Sequence, residues 1–320
     1  MSSPWRSGTV TGIGSLPGKD PAEAARFLLD ELPIPHIPEL PDRGWHADIA
    51  GRGAALLADL HVDLQPSGWR IVPRPSRDGQ RCRDLLARDV DALEKAAEHT
   101  APEVLKLQAT GPWTLGSILE LHRGNKVLSD HGAMADLAQS LAEGLKNHVA
   151  DVQRRLPGTT LALQLDEPSL PAVLAARIRT ASGFATFRAP DPQVARERLR
   201  TVLAATDHTV IHCCASDPPL DLMGEAGALS IDASLPMDTD RLGELLEQGR
   251  GLLLGVVPGM EGALPTVKEI VETVRRLRDR AGVTELTLTP TCGMAGATEG
   301  YVRAAVKRLV EASEAVKEEQ

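Results

Sequence analysis

The chain is poor in aromatic side chains, in cysteine and in clustered positive charge. Only 2% of its 320 residues are aromatic: four Trp, three Phe and one Tyr. Its core must therefore be built from aliphatic residues, and a hydrophobic content of 42% supplies them. The formal net charge is -9, and no block of Lys and Arg interrupts the acidic excess. That argues against nucleic-acid binding, because phosphate contacts need a clustered positive surface. No apolar run approaches the roughly 18 residues of a membrane span. The opening stretch, MSSPWRSGTVTG, has no apolar h-region of a signal peptide. A soluble cytoplasmic protein is expected.

There are four cysteines: Cys82, Cys213, Cys214 and Cys292. Adjacent Cys213 and Cys214 do not easily bridge each other. Four thiols in a long chain of this type point to metal or catalysis, or to buried small hydrophobes, and not to a disulfide framework. Cys82, in RDGQRCRDLLARD at a helix start, is read as buried.

Short β-type runs alternate with helical patterns along the chain. Strands are expected near 9–15, 34–40, 103–109, 160–166, 208–214, 228–233, 251–257 and 285–290. Helical spacing is clear over 133–154, where Pro157-Gly158 ends the pattern, over 265–280, opened by Pro265, and over about 298–318. Additional hairpin strands are possible at 65–75 and 183–188. Eight strands alternating with helices favour closure into a single (β/α)8 TIM barrel over an open doubly wound sheet. No linker or repeat divides the chain, so residues 1–320 are expected to form one domain. The Pro-rich stretch 33–41 reads as a loop around a short strand.

Chemistry concentrates in HCC at 212–214. Side chains two apart share one face of a strand, so His212 and Cys214 point together and Cys213 points away. An imidazole beside a thiolate suits zinc, although such a tripeptide is equally at home in a core. Cys292 follows the last strand, and Asp232 ends the sixth. In a barrel all these strand ends gather at the C-terminal rim, where active sites lie. Asp232 would close a four-ligand set; otherwise it caps a helix or pairs at the rim. GIGSLP at 12–17 is not a dinucleotide fingerprint, because GxGxxG would require glycine where Pro17 stands. In the DEP triplet, Asp166 and Glu167 face opposite sides of their strand. Only one of them can enter the barrel mouth.

Six segments, in order, resemble the catalytic barrel of the cobalamin-independent methionine synthase family, within the uroporphyrinogen decarboxylase/methionine synthase-like superfamily. They are GIGSLP at 12–17, ATGPWTL at 109–115, LQLDEPSL at 163–170, VIHCC at 210–214, LSIDAS at 229–234 and TPTCG at 289–293. The resemblance implies a zinc ion held by His212, Cys214 and Cys292, with Asp232 where the family has Glu. It also implies a homocysteine site in which Ile13, Gly14 and Ser15 hold the carboxylate and Asp166 receives the ammonium. The implied reaction is zinc-dependent methyl transfer to that thiol, giving methionine.

Two departures bear on the methyl donor. Met260 stands about where the family carries a proton-donating His, and the folate-associated Trp is missing, since Trp113 is out of register. A corrinoid, free or on a partner protein, is therefore expected as donor in place of methyltetrahydrofolate. Other readings are transfer of a different alkyl group to another thiol, or a non-catalytic zinc-binding or thiol-sensing protein. His36 and His46, in the early loop, are either substitutes for the missing proton donor or ordinary loop histidines. Glu39 is equally ambiguous.

Overall fold

The computed structural model describes residues 4–5 and 8–319. The opening stretch weighed above lies partly outside them. In chain order the elements are β1 (Thr9–Val10), α1 (Pro21–Glu31), α2 (Ile49–Ala55), β2 (His61–Gln65), β3 (Gly68–Val72) and α3 (Arg77–Ala96). Next come β4 (Val104–Thr110), α4 (Pro112–Ile118), α5 (His131–Arg155), β5 (Thr160–Asp166), α6 (Leu170–Leu174), α7 (Pro192–Leu203) and β6 (His208–Cys213). The chain continues through α8 (Leu220–Met223), β7 (Ala228–Asp232), α9 (Thr239–Glu247), β8 (Gly251–Val257), α10 (Val267–Ala281), β9 (Thr287–Pro290) and α11 (Glu299–Glu318).

Seven strands form one parallel sheet in the order β1-β9-β8-β7-β6-β5-β4. The gap between β1 and β4 is filled by residues 34–39, the strand expected at 34–40. Ile34 N–H donates to Val10 at 3.1 Å, and Lys106 N–H donates to Pro35 at 2.9 Å. Single parallel bridges join Thr11 to Ile34 and His36 to Lys106. Pro33, Pro35 and Pro38 lack N–H donors, so this segment touches both neighbours without forming a regular ladder. The result is a TIM-barrel-like fold with one irregular stave. Residues 65–75 do contribute to a hairpin, β2 with β3, but 183–188 carries only the Arg179–Thr186 bridge.

Helix ends follow their local chemistry. Asp130 caps α5 through Ala133 N–H, and Thr266 with Glu269 forms a reciprocal capping box on α10. Outside the barrel wall, aliphatic residues of strands and helices pack as one continuous cluster that includes buried Cys82 and Cys213. Inside the barrel a separate small cluster joins Trp5, Ile34, Ala162, Val210, Ala228 and Leu253. The next inward position on five of those staves is His36, Gln164, His212, Ser230 and Gly255, with Lys106 two beyond Val104 on β4. The lumen thus changes from an apolar floor to a polar layer in one step, and the site stands on that layer. No helix among the described residues is long and apolar enough to cross a membrane.

Candidate active site

His212 and Cys214 leave the end of β6 toward the barrel mouth, and Cys292 reaches them from the turn after β9. Their ligand atoms lie within 4.8 Å of one another. His212 is 2% exposed. Its Nδ1 lies 2.9 Å from Ser230 Oγ, on the adjacent strand β7. Its Nε2 is buried and has no hydrogen-bond partner. A buried ring nitrogen left bare is costly unless something outside the protein takes its lone pair. With Nδ1 turned to Ser230, Nε2 is the ring nitrogen that faces the thiols.

Cys214 and Cys292 place their sulfurs 2.9 Å apart. The contact with Cys214 holds the Cys292 thiol well below the usual range, with His212 adding to the effect against the cost of burial. The same contact raises Cys214. Cys213 is buried on the opposite face, and burial pushes its thiol up to about 11. All four cysteines are free.

Asp232 does not join this group. Its Oδ1 accepts from the Ser234 N–H at 2.8 Å and the Ser234 hydroxyl at 2.7 Å. The short carboxylate is taken up by its own turn, so the four-ligand set expected from sequence is reduced to three. Two thiols and the bare Nε2 of an imidazole form a donor set that fits zinc, and three protein ligands with one open position is the composition of catalytic zinc sites.

Beside these residues lies a cavity of about 320 Å³ lined by Ile13, Ser15, Glu39, Arg52, Asp166, His212, Cys214 and Cys292, among others. Asp166 stands at its wall, and burial pushes its carboxyl up to about 7, with His212 pulling the other way. Gln164 Nε2 donates to Asp166 Oδ1 at 2.7 Å. Ile13 offers its carbonyl to Lys106 Nζ and to Gln164 Nε2, each at 2.9 Å. Gly14 is pressed against Glu39 and Gln108, where a Cβ would collide with both side chains. Glu39 accepts from Arg52 Nε at 3.1 Å, and Arg52 in turn reaches Asp89 at 2.9 Å. Glu39 was left ambiguous from sequence and lines the cavity, while Arg52, Lys106, Gln164 and Ser230 were not singled out. A signal existed for Lys106 and Gln164: polar residues in otherwise apolar strands, with Gln164 on the face of Asp166.

Glu167 turns away, as the strand alternation requires. It accepts from Trp113 N–H (2.9 Å), Thr114 N–H (2.8 Å) and the Thr114 hydroxyl (2.7 Å). The DEP and GP motifs are therefore one structural unit at the start of α4. Trp113 is buried there and donates to the Ala195 carbonyl at 3.2 Å. Neither loop histidine lines the cavity. His36 is buried, and desolvation pushes it down to about 3. His46 pairs with Asp78 at 2.7 Å. Of the two readings open for them, that of substitute proton donor gains nothing from these positions, and buried His36 is not an ordinary solvated loop histidine either. Met260 is 66% exposed.

A family model described as the cobalamin-independent synthase catalytic domain matches residues 80–315. The chain belongs to that family. As a member it is a methyltransferase. Among solved structures it is similar to a B12-independent methionine synthase from Shewanella sp. W3-18-1 in complex with selenomethionine, at 13% identity and a TM-score of 0.65, with 98% of each chain covered. It is also similar to a protein from Listeria monocytogenes described as a vitamin-B12-independent methionine synthase, at 14% identity, a TM-score of 0.61 and 99% coverage of each chain. At such identities these two likenesses establish the shared fold. A search of curated proteins gave no match. The cobalamin-independent description runs against the corrinoid donor expected from sequence, and that expectation is withdrawn. Its premises were Met260 in place of a proton-donating His and Trp113 out of register, and two side-chain positions do not determine the donor.

Proposed function

We propose that the protein transfers a methyl group to the thiol of homocysteine, giving methionine, with zinc held by His212, Cys214 and Cys292. The observation that carries this reading is the bare, buried Nε2 of His212 aimed at two cysteines on the edge of the cavity. Bound there, zinc supplies the charge that lowers the pKa of a substrate thiol, so that a nucleophilic thiolate is present at neutral pH.

The remaining work belongs to the chain. Asp166 faces the cavity and receives the substrate ammonium, an ion pair that favours its carboxylate form. The Ile13-Gly14-Ser15 loop lies across the cavity and takes the substrate carboxylate. Anchoring both ends of the amino acid leaves its thiol to reach Cys214 and Cys292, which makes methyl transfer mainly a matter of positioning. A methylated folate is the proposed donor, as befits a cobalamin-independent family. The continuous outer core supports a chain that works as one barrel domain, and the free cysteines suit a reducing cytoplasm.

Cobalt substitution tests the site. The protein should take up one metal per chain, and the visible spectrum should shift when homocysteine is added, because its sulfur enters the metal shell. An unchanged spectrum would make the metal purely structural and overturn the catalytic reading.

A further inference from the structure

Lys106 is the largest fully buried side chain of the barrel, set in β4 beneath the cavity. A lysine out of reach of solvent needs matched acceptors. Its Nζ has two: the Ile13 carbonyl at 2.9 Å and Gln164 Oε1. Burial lowers its ammonium to about 7, while Asp166 and then Glu39 draw it back up.

The chemistry of these groups fixes their orientation. Lysine has three donors and no acceptor, so the Gln164 amide must turn its oxygen to Nζ. Its nitrogen then faces the other way. There it donates to the Ile13 carbonyl at 2.9 Å and to Asp166 Oδ1 at 2.7 Å. The ammonium on one side and two acceptors on the other thus hold the amide in one sense. Flipped, it would set an oxygen against Asp166 and against the Ile13 carbonyl.

We infer that Lys106 is a positioning residue for the ammonium end of the substrate: through Gln164 it presents Asp166. This rests on the reading that Asp166 receives the substrate ammonium. Lys106 does not touch the substrate. Its effect is confined to ligands that carry an amine.

Two variants and two thiols test this. Lys106→Met keeps the length and removes the charge. Gln164→Met keeps the lysine and breaks the relay. Zinc-loaded protein is titrated calorimetrically with homocysteine and with 4-mercaptobutanoate, which has the same carbon chain, thiol and carboxylate but no amine. Each variant should bind homocysteine about tenfold or more weakly, the scale of one charge-assisted hydrogen bond. Each should bind 4-mercaptobutanoate as the unaltered protein does and retain its zinc. Equal weakening toward both thiols would mean that Lys106 only supports the core, and undiminished homocysteine binding would mean that the relay is idle. Either result overturns the inference and leaves the proposed reaction standing. If the unaltered protein itself fails to prefer homocysteine, the role of Asp166 falls, and the inference falls with it. Should Lys106→Met not fold, the Gln164→Met comparison decides alone.

Discussion

Ser15 and Gly293 meet so closely that a Cβ on Gly293 would overlap the Ser15 hydroxyl. The Met294 N–H donates to the Ser15 carbonyl at 2.8 Å beside this contact. Ser15 follows the first strand, and Gly293 follows Cys292 after the last. The proposed substrate loop and a proposed metal ligand are thus locked together, and glycine is what the lock requires.

Gly293→Ala should therefore push the loop at 13–15 away from Cys292. We expect homocysteine affinity to fall about tenfold or more, the effect of misplacing a bound reactant, and zinc retention to weaken with it. Calorimetry and metal analysis check this. Gly300→Ala is the control, because a Cβ there meets open space; it should leave both properties unchanged.

Ser230 holds His212 by its Nδ1 at 2.9 Å. Ser230→Ala removes this partner and frees the ring to turn. Metal affinity should drop roughly 10- to 100-fold, the usual effect of losing such a partner. Competition with a chromogenic chelator measures it, and unchanged affinity would show that Ser230 does not orient the ring.

Acid should unfold the protein partly through His36. In the folded state it is held down at about 3, against an ordinary value of 6.5. Below pH 6.5 the unfolded chain binds a proton that the folded chain refuses. Stability therefore falls as pH drops from about 6.5 toward 3, by about 1.4 kcal/mol per pH unit from this group. Denaturant midpoints between pH 7 and 4 should show that slope, and His36→Gln should reduce it by one proton.

Trp45 is 68% exposed, and Ala47, Asp48 and Ile49 just beyond it line the cavity. Trp113 is buried, and Trp45 is the exposed indole adjacent in sequence to that lining, so it is the tryptophan to test for stacking on the flat ring of the proposed donor. Trp45→Ala should raise KM for a folate donor several-fold, on the order of 1 kcal/mol of stacking, and leave KM for homocysteine unchanged. Steady-state kinetics with each substrate varied in turn separates the two.

Much of this was legible in the sequence because strand periodicity carries direction. The alternation at 212–214 placed His212 and Cys214 together and Cys213 behind them, and the same rule separated Asp166 from Glu167. Strands β5 and β8 fell on their expected residues, while the proline-rich stave at 34–39 registered only weakly because it pairs only in single bridges. Alternation gives a side chain its face but not its partner. Asp232 faces the site and is nevertheless taken by Ser234 two residues on. His36 sits in a loop-like sequence and is buried, because the barrel closes around it. The Lys106–Gln164 relay and the Ser230 bond span separate strands, so only their polarity in apolar runs hinted at them.

The central claim is that the His212, Cys214 and Cys292 site methylates homocysteine without cobalamin. Zinc-loaded protein is incubated with homocysteine and either methyltetrahydrofolate or methylcobalamin, and methionine is measured beside a Cys292→Ser variant. The account predicts methionine from the folate donor, and none from the variant. Methionine formed only from methylcobalamin, or at an undiminished rate by Cys292→Ser, would contradict it.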